Sequence, residues 1–134
     1  MKKDIVPPVV EDIAVAVVKE ENELAEAVWN VYLVNLKKQD IEGVLVSSQG
    51  YGVYNEEDVK TSTLRHFLDV VPAKSFSKIE PIVENVFGLN NEYWVSFYIN
   101  KVMYDKKYIF LPETIKEEYF VMIPVLNKKG VMIR

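Results

Sequence analysis

The hydrophobic residues of this chain recur in short runs, and amphipathic helical spacing is hard to find. The runs Ile13–Glu20 and Ala27–Lys38 are rich in valine and other apolar residues, a composition typical of β-strands. Both faces of the second run are apolar, one carrying Trp29, Val31 and Leu33 and the other Val28, Tyr32, Val34 and Leu36. We therefore expect this strand to lie inside a sheet that is covered on both faces.

Turn signals indicate how later strands are joined. A turn at Lys37–Asp40 leads into Ile41–Ser48, which we expect to be the antiparallel neighbour of the preceding strand. Glu92–Ile99 alternates regularly, and Asn100-Lys101 offers a tight turn into Val102–Leu111. These two segments predict a hairpin.

The end of the chain predicts a last hairpin. It joins Tyr119–Leu126 to Gly130–Ile133 through the polar residues 127–129. Pro124 has no amide hydrogen to donate to a neighbouring strand. It therefore indicates that the first strand of this hairpin lies at a sheet edge or carries a bulge.

Two segments in the middle of the chain are less regular. Ser62–Pro72 fits either a strand or one short helix, and its pattern leaves both open. In Ala73–Val83, Phe76 is out of phase with Ile79, so only the second half alternates as a strand does.

Together these segments make about eight short strands, with turn signals roughly every ten residues and no long amphipathic helix. The pattern predicts an all-β protein, an antiparallel sandwich or a small barrel, and we favour the single-domain β-sandwich with a C-terminal hairpin. A chain of 134 residues fits one domain. We expect that domain to span residues 1–134, with residues 1–10 as a loose N-terminal segment.

Three segments carry a resemblance, VWNVYLVNLKKQDIEGVLVSS, VPAKSFSKIEPI and EYWVSFYI. Their order, within residues 12–111, resembles the immunoglobulin-like sandwich modules found in many bacterial proteins, and so implies an immunoglobulin-like fold. The Cys…Trp…Cys signature of true immunoglobulin domains is missing, because the chain has no cysteine. The chain also resembles a family of small bacterial proteins with no assigned activity, so the resemblance implies no site.

Charge and composition exclude several classes of protein. The chain is 49% hydrophobic and 27% charged, which is the mixture of a folded globular protein. The 16 Lys and Arg residues are scattered among 20 acids, so we expect no nucleic-acid partner. The absence of cysteine suits a reducing compartment.

The same sequence argues against membrane insertion and secretion. No apolar run approaches the roughly 18 to 20 residues that span a membrane. Asp4 and Pro7 interrupt the apolar stretch near the N-terminus, so we expect no secretion signal. The expected location is the cytoplasm.

The polar stretch Ser47–Phe67 holds most of the candidate chemistry, and we expect it to be a long loop between strands with an exposed Gly-Tyr-Gly tip. A phosphate-binding loop would need glycine where Val59 stands. A hydrolytic triad would need a nucleophile and an acid beside His66, and the sequence has no nucleophile elbow. One histidine and no cysteine cannot form a zinc site. We expect neither a metal nor a cofactor.

Aromatic and basic side chains remain as candidates for binding. Tyrosines in the polar stretch are flanked by glycines and acids, so we expect them to be exposed and able to stack on a partner. Trp29 and Trp94 lie inside strands, and we expect both in the core. The candidate binding residues are Tyr51, Tyr54, Arg65 and His66.

Three functions are compatible with this sequence. We favour a non-catalytic protein-interaction module, which binds a protein partner or another copy of itself through an open sheet edge such as the C-terminal hairpin. The alternative is a small-ligand or carbohydrate-binding sandwich that uses Tyr51, Tyr54 and Trp94. The third is a hydrolase with Arg65 and His66 near its centre.

Overall fold

The computed structural model describes residues 8–134, which form ten β-strands and two 3-10 turns at Glu84–Val86 and Glu117–Tyr119. The strands are β1 (Ile13–Glu21), β2 (Ala27–Asn35), β3 (Ile41–Tyr54), β4 (Glu57–Lys60), β5 (Leu64–Val71), β6 (Ser75–Ile82), β7 (Asn90–Ile99), β8 (Val102–Phe110), β9 (Val121–Ile123) and β10 (Lys128–Ile133). No helix in this range is long and apolar enough to cross a membrane. The loose segment expected at residues 1–10 falls mainly on residues 1–7, which lie outside the described range.

The strands form two antiparallel five-stranded sheets, which confirms the all-β, antiparallel prediction. Sheet A has the order β6-β2-β1-β10-β9. Sheet B has the order β4-β3-β7-β8, and β5 also pairs with β3. The strands β4 and β5 share one edge of β3, because β4 pairs with its C-terminal end and β5 with its N-terminal part. The described residues thus contain ten strands where about eight were expected.

The inner faces of the two sheets share the main hydrophobic core. Tyr93, Phe97 and Tyr108 are its largest fully buried side chains. The hydroxyl of Tyr108 donates a hydrogen bond to the carbonyl oxygen of Ile13, 2.6 Å away, so this buried polar group is satisfied across the two sheets.

A second apolar cluster covers the outer face of sheet A. Its floor is made by alternate residues of the central strands, Ala14, Ala16, Val18, Tyr32 and Val34. Ile123 and Leu126, from the end of β9 and the following turn, pack in the same cluster and are buried. Both faces of β2 are therefore covered, as its sequence predicted, although the strand is shorter than expected.

The predicted pairing of β2 with β3 is wrong, because the turn between them crosses from sheet A to sheet B. In sheet A, β2 pairs with β1 and β6, whereas β3 lies in sheet B. The buried side-chain amide of Asn35 donates to the carbonyl oxygens of Gln39 and Val71. These bonds tie the end of β2 to the far sheet, and they stabilise a crossing where the turn residues alone indicated a hairpin.

The predicted long loop at Ser47–Phe67 is also wrong. The strand β3 continues to Tyr54, and Asn55 and Glu56 turn the chain into β4 with positive φ values of 51° and 63°. Positive φ at both central residues is the geometry of a tight two-residue hairpin. After β4 the chain enters β5 at Leu64, so the segment that fitted either strand or helix is a strand.

Both predicted hairpins in the second half of the chain are present, but the first strand of the last hairpin is shorter than expected and its turn comes earlier, at residues 124–127. The strands β7 and β8 pair over nine positions around Asn100 and Lys101, whose φ values are 48° and 65°. The strands β9 and β10 form the last hairpin, and β9 is the edge strand of sheet A. Pro124 follows the last residue of β9, so the proline ends the strand at the edge, where its missing donor is tolerated.

Candidate functional site

The outer face of sheet B carries a group of large apolar side chains that the other residues within 8–134 leave exposed. We call it the aromatic face, and its members are Leu45, Phe67, Trp94, Tyr98 and Met103. Phe67 is 67% exposed, and the other members are between 40% and 51% exposed. A contiguous exposed apolar patch on a folded protein marks a site of interaction more often than a scattered set does.

The strand register places Phe67, Leu45 and Trp94 of this face in two neighbouring rows across β5, β3, β7 and β8, and it pairs Tyr98 with Met103 outside these rows. Row 1 consists of Phe67, Leu45, Ser96 and Asp105. Row 2 consists of Arg65, Ser47, Trp94 and Lys107. The ammonium of Lys107 lies 4.5 Å from the centre of the Trp94 ring, a cation–π contact that keeps both side chains on the surface.

Of the two tryptophans, one is buried and the other is exposed. Trp29 is buried in the core, where its ring packs edge-on against Phe87 and its Nε1 donates to Glu84, 2.9 Å away. The prediction of a core position is confirmed for Trp29 and is wrong for Trp94, which is 43% exposed. Trp94 alternates with the fully buried Tyr93, so the pleat of β7 turns it outward.

The sequence-predicted binding residues do not come together. Arg65 and His66 are successive residues of β5, so Arg65 points to the outer face and His66 points inward. Tyr51 and Tyr54 are three residues apart in β3, and alternation directs them to opposite faces. By the same alternation Arg65 and Tyr51 both lie on the outer face of sheet B, Arg65 in row 2 and Tyr51 four residues beyond Ser47 along β3.

The two tyrosines also differ in their surroundings. Tyr51 is partly buried, and its hydroxyl lies 3.5 Å from Glu92 Oε1. Burial, with the nearby Glu92 charge, raises the pKa of Tyr51 above its ordinary value of 10.0. Tyr54 is the last residue of β3 and is exposed at the start of the β3–β4 turn. The expected exposed tip is therefore the turn itself, and Tyr51 is not part of it.

Between the sheets, His66 belongs to a polar cluster that the sequence did not reveal. Its Nε2 lies 2.7 Å from Oε1 of Glu80, and the hydroxyl of Ser48 donates to the same oxygen over 2.6 Å. The hydroxyl of Tyr93 donates to the other oxygen, Oε2, over 3.2 Å. The Glu80 side chain is 13% exposed. A nearly buried carboxylate is thus held by three donors.

A β-bulge in β6 places Glu80 in this position. Val31 of β2 pairs with Glu80, but the next residue, Tyr32, pairs with Lys78. Ile79 is the extra residue, and both it and Glu80 turn toward the interior. Bulges of this kind redirect side chains beside functional sites. Phe76 and Ile79 lie on opposite faces by ordinary alternation, whereas the bulge lets Ile79 and Ile82, three residues apart, both be buried.

Ser48, Glu80 and Tyr93 of this cluster line a cleft of about 290 Å³ between the two sheets. The cleft lies where the edge of β3 passes from β5 to β4, and β6 and the first 3-10 turn close its other side. Its polar lining is Ser48, Gln49, Thr61, Ser62, Glu80, Asn91 and Tyr93, and its apolar lining includes Leu64, Ile82, Val83 and Val86. We call it the Glu80 cleft.

The order of groups in this cluster differs from that of a hydrolytic triad. In a triad the imidazole stands between the nucleophile and the acid. Here the carboxylate of Glu80 stands between Ser48 and His66, and the serine donates its proton to an oxygen rather than to the imidazole. Burial and the Glu80 charge raise the pKa of Tyr93 far above its ordinary value, which keeps its hydroxyl a donor.

Within residues 8–134, no group of three or more His, Asp or Glu side chains is arranged to hold a metal ion. No protein-family model, no curated protein and no solved structure matches the sequence.

Proposed function

We propose that this protein is a non-catalytic interaction module, an immunoglobulin-like β-sandwich of the cytoplasm that binds a second copy of itself through the aromatic face. The observation that carries the proposal is the exposure of five large apolar side chains on one sheet face. The absence of an imidazole between Ser48 and Glu80 argues against the hydrolase alternative.

A flat face supports this role better than a sheet edge does. The edge strand β9 offers only three residues for backbone pairing, and Pro124 follows it at once. The edge strand β8 is longer, but it carries Asp105, Lys106 and Lys107 in succession. Charged residues on an edge strand oppose pairing with another chain. We therefore move the proposed contact from the edge to the outer face of sheet B.

The two rows of the aromatic face are complementary to each other, which favours a second copy as the partner. Consider a two-fold axis that lies in the interface and crosses the strands midway between the rows. Rotation about this axis places row 1 of each copy opposite row 2 of the other copy. Each strand then faces the same strand of the second copy. Asp105 then faces Lys107 of the second copy.

The same axis also pairs the aromatic residues favourably. Phe67 faces Arg65 of the second copy, which permits a cation–π contact. Trp94 faces Ser96, a small side chain that leaves room for the indole ring. An axis parallel to the strands would instead set Arg65 against Lys107, and this pairing of like charges disfavours it.

The size of the face sets the expected strength. The interface area is estimated from the extent of the outer face of sheet B around rows 1 and 2. It spans four strands about 4.8 Å apart and, with one further row on each side, four rows about 6.8 Å apart, which gives roughly 500 Å² per copy. The total of about 1,000 Å² lies at the lower limit for specific interfaces. The expected dimer is therefore weak, with a dissociation constant on the order of micromolar or above.

Sedimentation equilibrium over protein concentrations from about 10 to about 500 μM tests the proposal. We expect a reversible monomer–dimer equilibrium for the full chain. Phe67→Ser removes the most exposed aromatic ring of the face and should weaken the dimer at least about tenfold, because aromatic anchors dominate such interfaces.

Met122→Ser is the matched control, since Met122 is an exposed apolar residue of β9 in the other sheet. It should leave the equilibrium unchanged. A wild-type chain that stays monomeric throughout, or a dimer that Met122→Ser weakens as much as Phe67→Ser does, would overturn the proposal.

A further inference from the structure

We infer that the Glu80 cleft is a binding site for a small organic ammonium, a primary amine with a short aliphatic body. The cleft faces the interior side of sheet B, whereas the aromatic face is its outer side, so this inference is independent of the proposed dimer. Its basis is the set of hydrogen-bond acceptors and apolar walls that the fold brings to one place.

Among residues 8–134, three donors reach the carboxylate of Glu80 and leave one acceptor position. A carboxylate presents about four lone-pair positions, two on each oxygen. Ser48 and His66 occupy those of Oε1, and Tyr93 occupies one on Oε2. The remaining position on Oε2 can accept one more donor.

Asn91 supplies a second acceptor to the same cleft. Its amide nitrogen donates to the carbonyl oxygens of Val86 and Leu89, at 3.0 Å and 3.2 Å. These bonds fix the orientation of the side chain. Among residues 8–134 no hydrogen bond reaches its Oδ1, which lies 3.5 Å from the position that a Cβ on Gly50 would take. Asn91 lines the cleft, so this oxygen is an acceptor for a ligand there.

The charge of the cleft selects a cation. Glu80 is the only acidic residue among those that line it, and no lysine or arginine is in that set. The whole chain is also acidic, with a net charge of −4. A negative field of this kind attracts cations and disfavours anions. An ammonium carries three N–H donors, enough for both open acceptors.

The walls indicate the shape of the ligand's body. Leu64, Ile82, Val83 and Val86 are aliphatic, and Tyr93 is the only aromatic ring in the lining. Such walls suit a flexible alkyl chain better than a stacked sugar or base. The volume of about 290 Å³ lies at the lower end of the range for ligand pockets, so the ligand is small.

Titration of the full chain, followed by NMR shifts of the backbone amides, tests this site. The probes are n-hexylamine, which is protonated at pH 7, and its neutral and anionic counterparts 1-hexanol and hexanoate. We expect hexylammonium to bind at least about tenfold more tightly than hexanol, because a charge-assisted hydrogen bond is stronger than a neutral one. Hexanoate should not bind.

Two variants locate the binding. Glu80→Gln keeps the size of the side chain and should abolish the preference, leaving the amine and the alcohol within about twofold of each other. Val83→Trp acts at the exposed rim, where Val83 is 59% exposed, and should reduce binding of both probes by obstructing the mouth. Val53→Trp, at an exposed valine that does not line the cleft, is the matched control.

Each outcome decides the inference. Equal binding of hexylammonium and hexanol to the wild type would contradict it, as would amine binding that survives Val83→Trp unchanged. If Glu80→Gln does not fold, the comparison of Val83→Trp with Val53→Trp still decides whether the cleft is the site. None of these outcomes depends on whether the protein is a monomer or a dimer.

Discussion

The outer faces of the two sheets differ in how far their apolar side chains are buried. On sheet A, Ala14, Ala16 and Val18 are fully buried beneath side chains that follow β9. On sheet B, Phe67 and Trp94 are left exposed. Within the part of the chain that the structure describes, the C-terminal hairpin therefore covers one apolar face, and the other is exposed. The covered face stabilises the fold, and the open one is available to a partner.

Substitution within the covered face should have the largest effect on folding. Ile123 is fully buried in that cluster, so Ile123→Ala removes three buried carbons and leaves a cavity. We expect a loss of about 2 to 5 kcal/mol in the free energy of unfolding, measured by urea denaturation. Leu45→Ala on the aromatic face should cost less than about 1 kcal/mol when the protein is dilute and monomeric. Equal costs would show that the two faces do not differ.

Two glycines, one in each sheet, allow a second comparison between sheet A and sheet B. A Cβ at Gly130 would lie 2.3 Å from the carbonyl oxygen of Val17, so β10 would have to move away from β1. At Gly43 the nearest atom is in the Tyr98 ring, 3.2 Å away, and a side chain can move more easily than a strand.

We expect Gly130→Ala to cost about 3 kcal/mol of unfolding free energy because of this backbone clash. Gly43→Ala should cost about 1 to 2 kcal/mol, mainly because Gly43 has a φ of +55°. Thermal or urea unfolding of both variants measures the difference. A larger loss for Gly43→Ala than for Gly130→Ala would contradict the expectation that the β1–β10 backbone yields less easily than the Tyr98 ring.

At one end of the covered face, the contribution of Glu20 to the free energy of unfolding depends on pH. Glu20 accepts hydrogen bonds from Lys128, Tyr32 and Asn30. Burial opposes ionisation of Glu20, but these three donors outweigh it and hold its pKa below the ordinary value of 4.5. A lowered pKa means that folding favours the carboxylate. The resulting stabilisation is complete above pH 4.5 and is lost as the pH falls below it.

Glu20→Gln should therefore lower the free energy of unfolding by about 1 to 2 kcal/mol at neutral pH. The difference from the wild type should shrink as the pH falls below 4.5. Urea denaturation across that range checks both statements. A difference that stays constant down to pH 3 would show that the charge of Glu20 does not contribute.

The sequence predicted those parts of the fold that local pattern controls. The apolar residues on both faces of β2 indicated a doubly covered strand, and Asn100-Lys101 indicated the β7–β8 hairpin. The crossing after β2 was not predictable, because the same turn residues serve hairpins and crossings between sheets. Its determinant is Asn35, whose partners lie far along the chain.

The candidate site was predicted less well, because it depends on pairing rather than on composition. All four residues of β4 are exposed, so this strand has no apolar signal and its segment resembled a loop. Glu80 became a central residue only through the bulge, which depends on the register with β2. Trp94 lies outside because of its phase in β7, although tryptophan as a residue type favours burial.

The most direct test of the open face is a charge exchange followed by sedimentation equilibrium. Asp105→Lys and Lys107→Asp should each weaken the dimer about tenfold or more, because each sets two pairs of like charges against each other across the two-fold axis. The double variant Asp105→Lys/Lys107→Asp should restore an affinity near that of the wild type. Single variants that dimerise as well as the wild type, or a double variant weaker than either single one, would contradict self-association through this face.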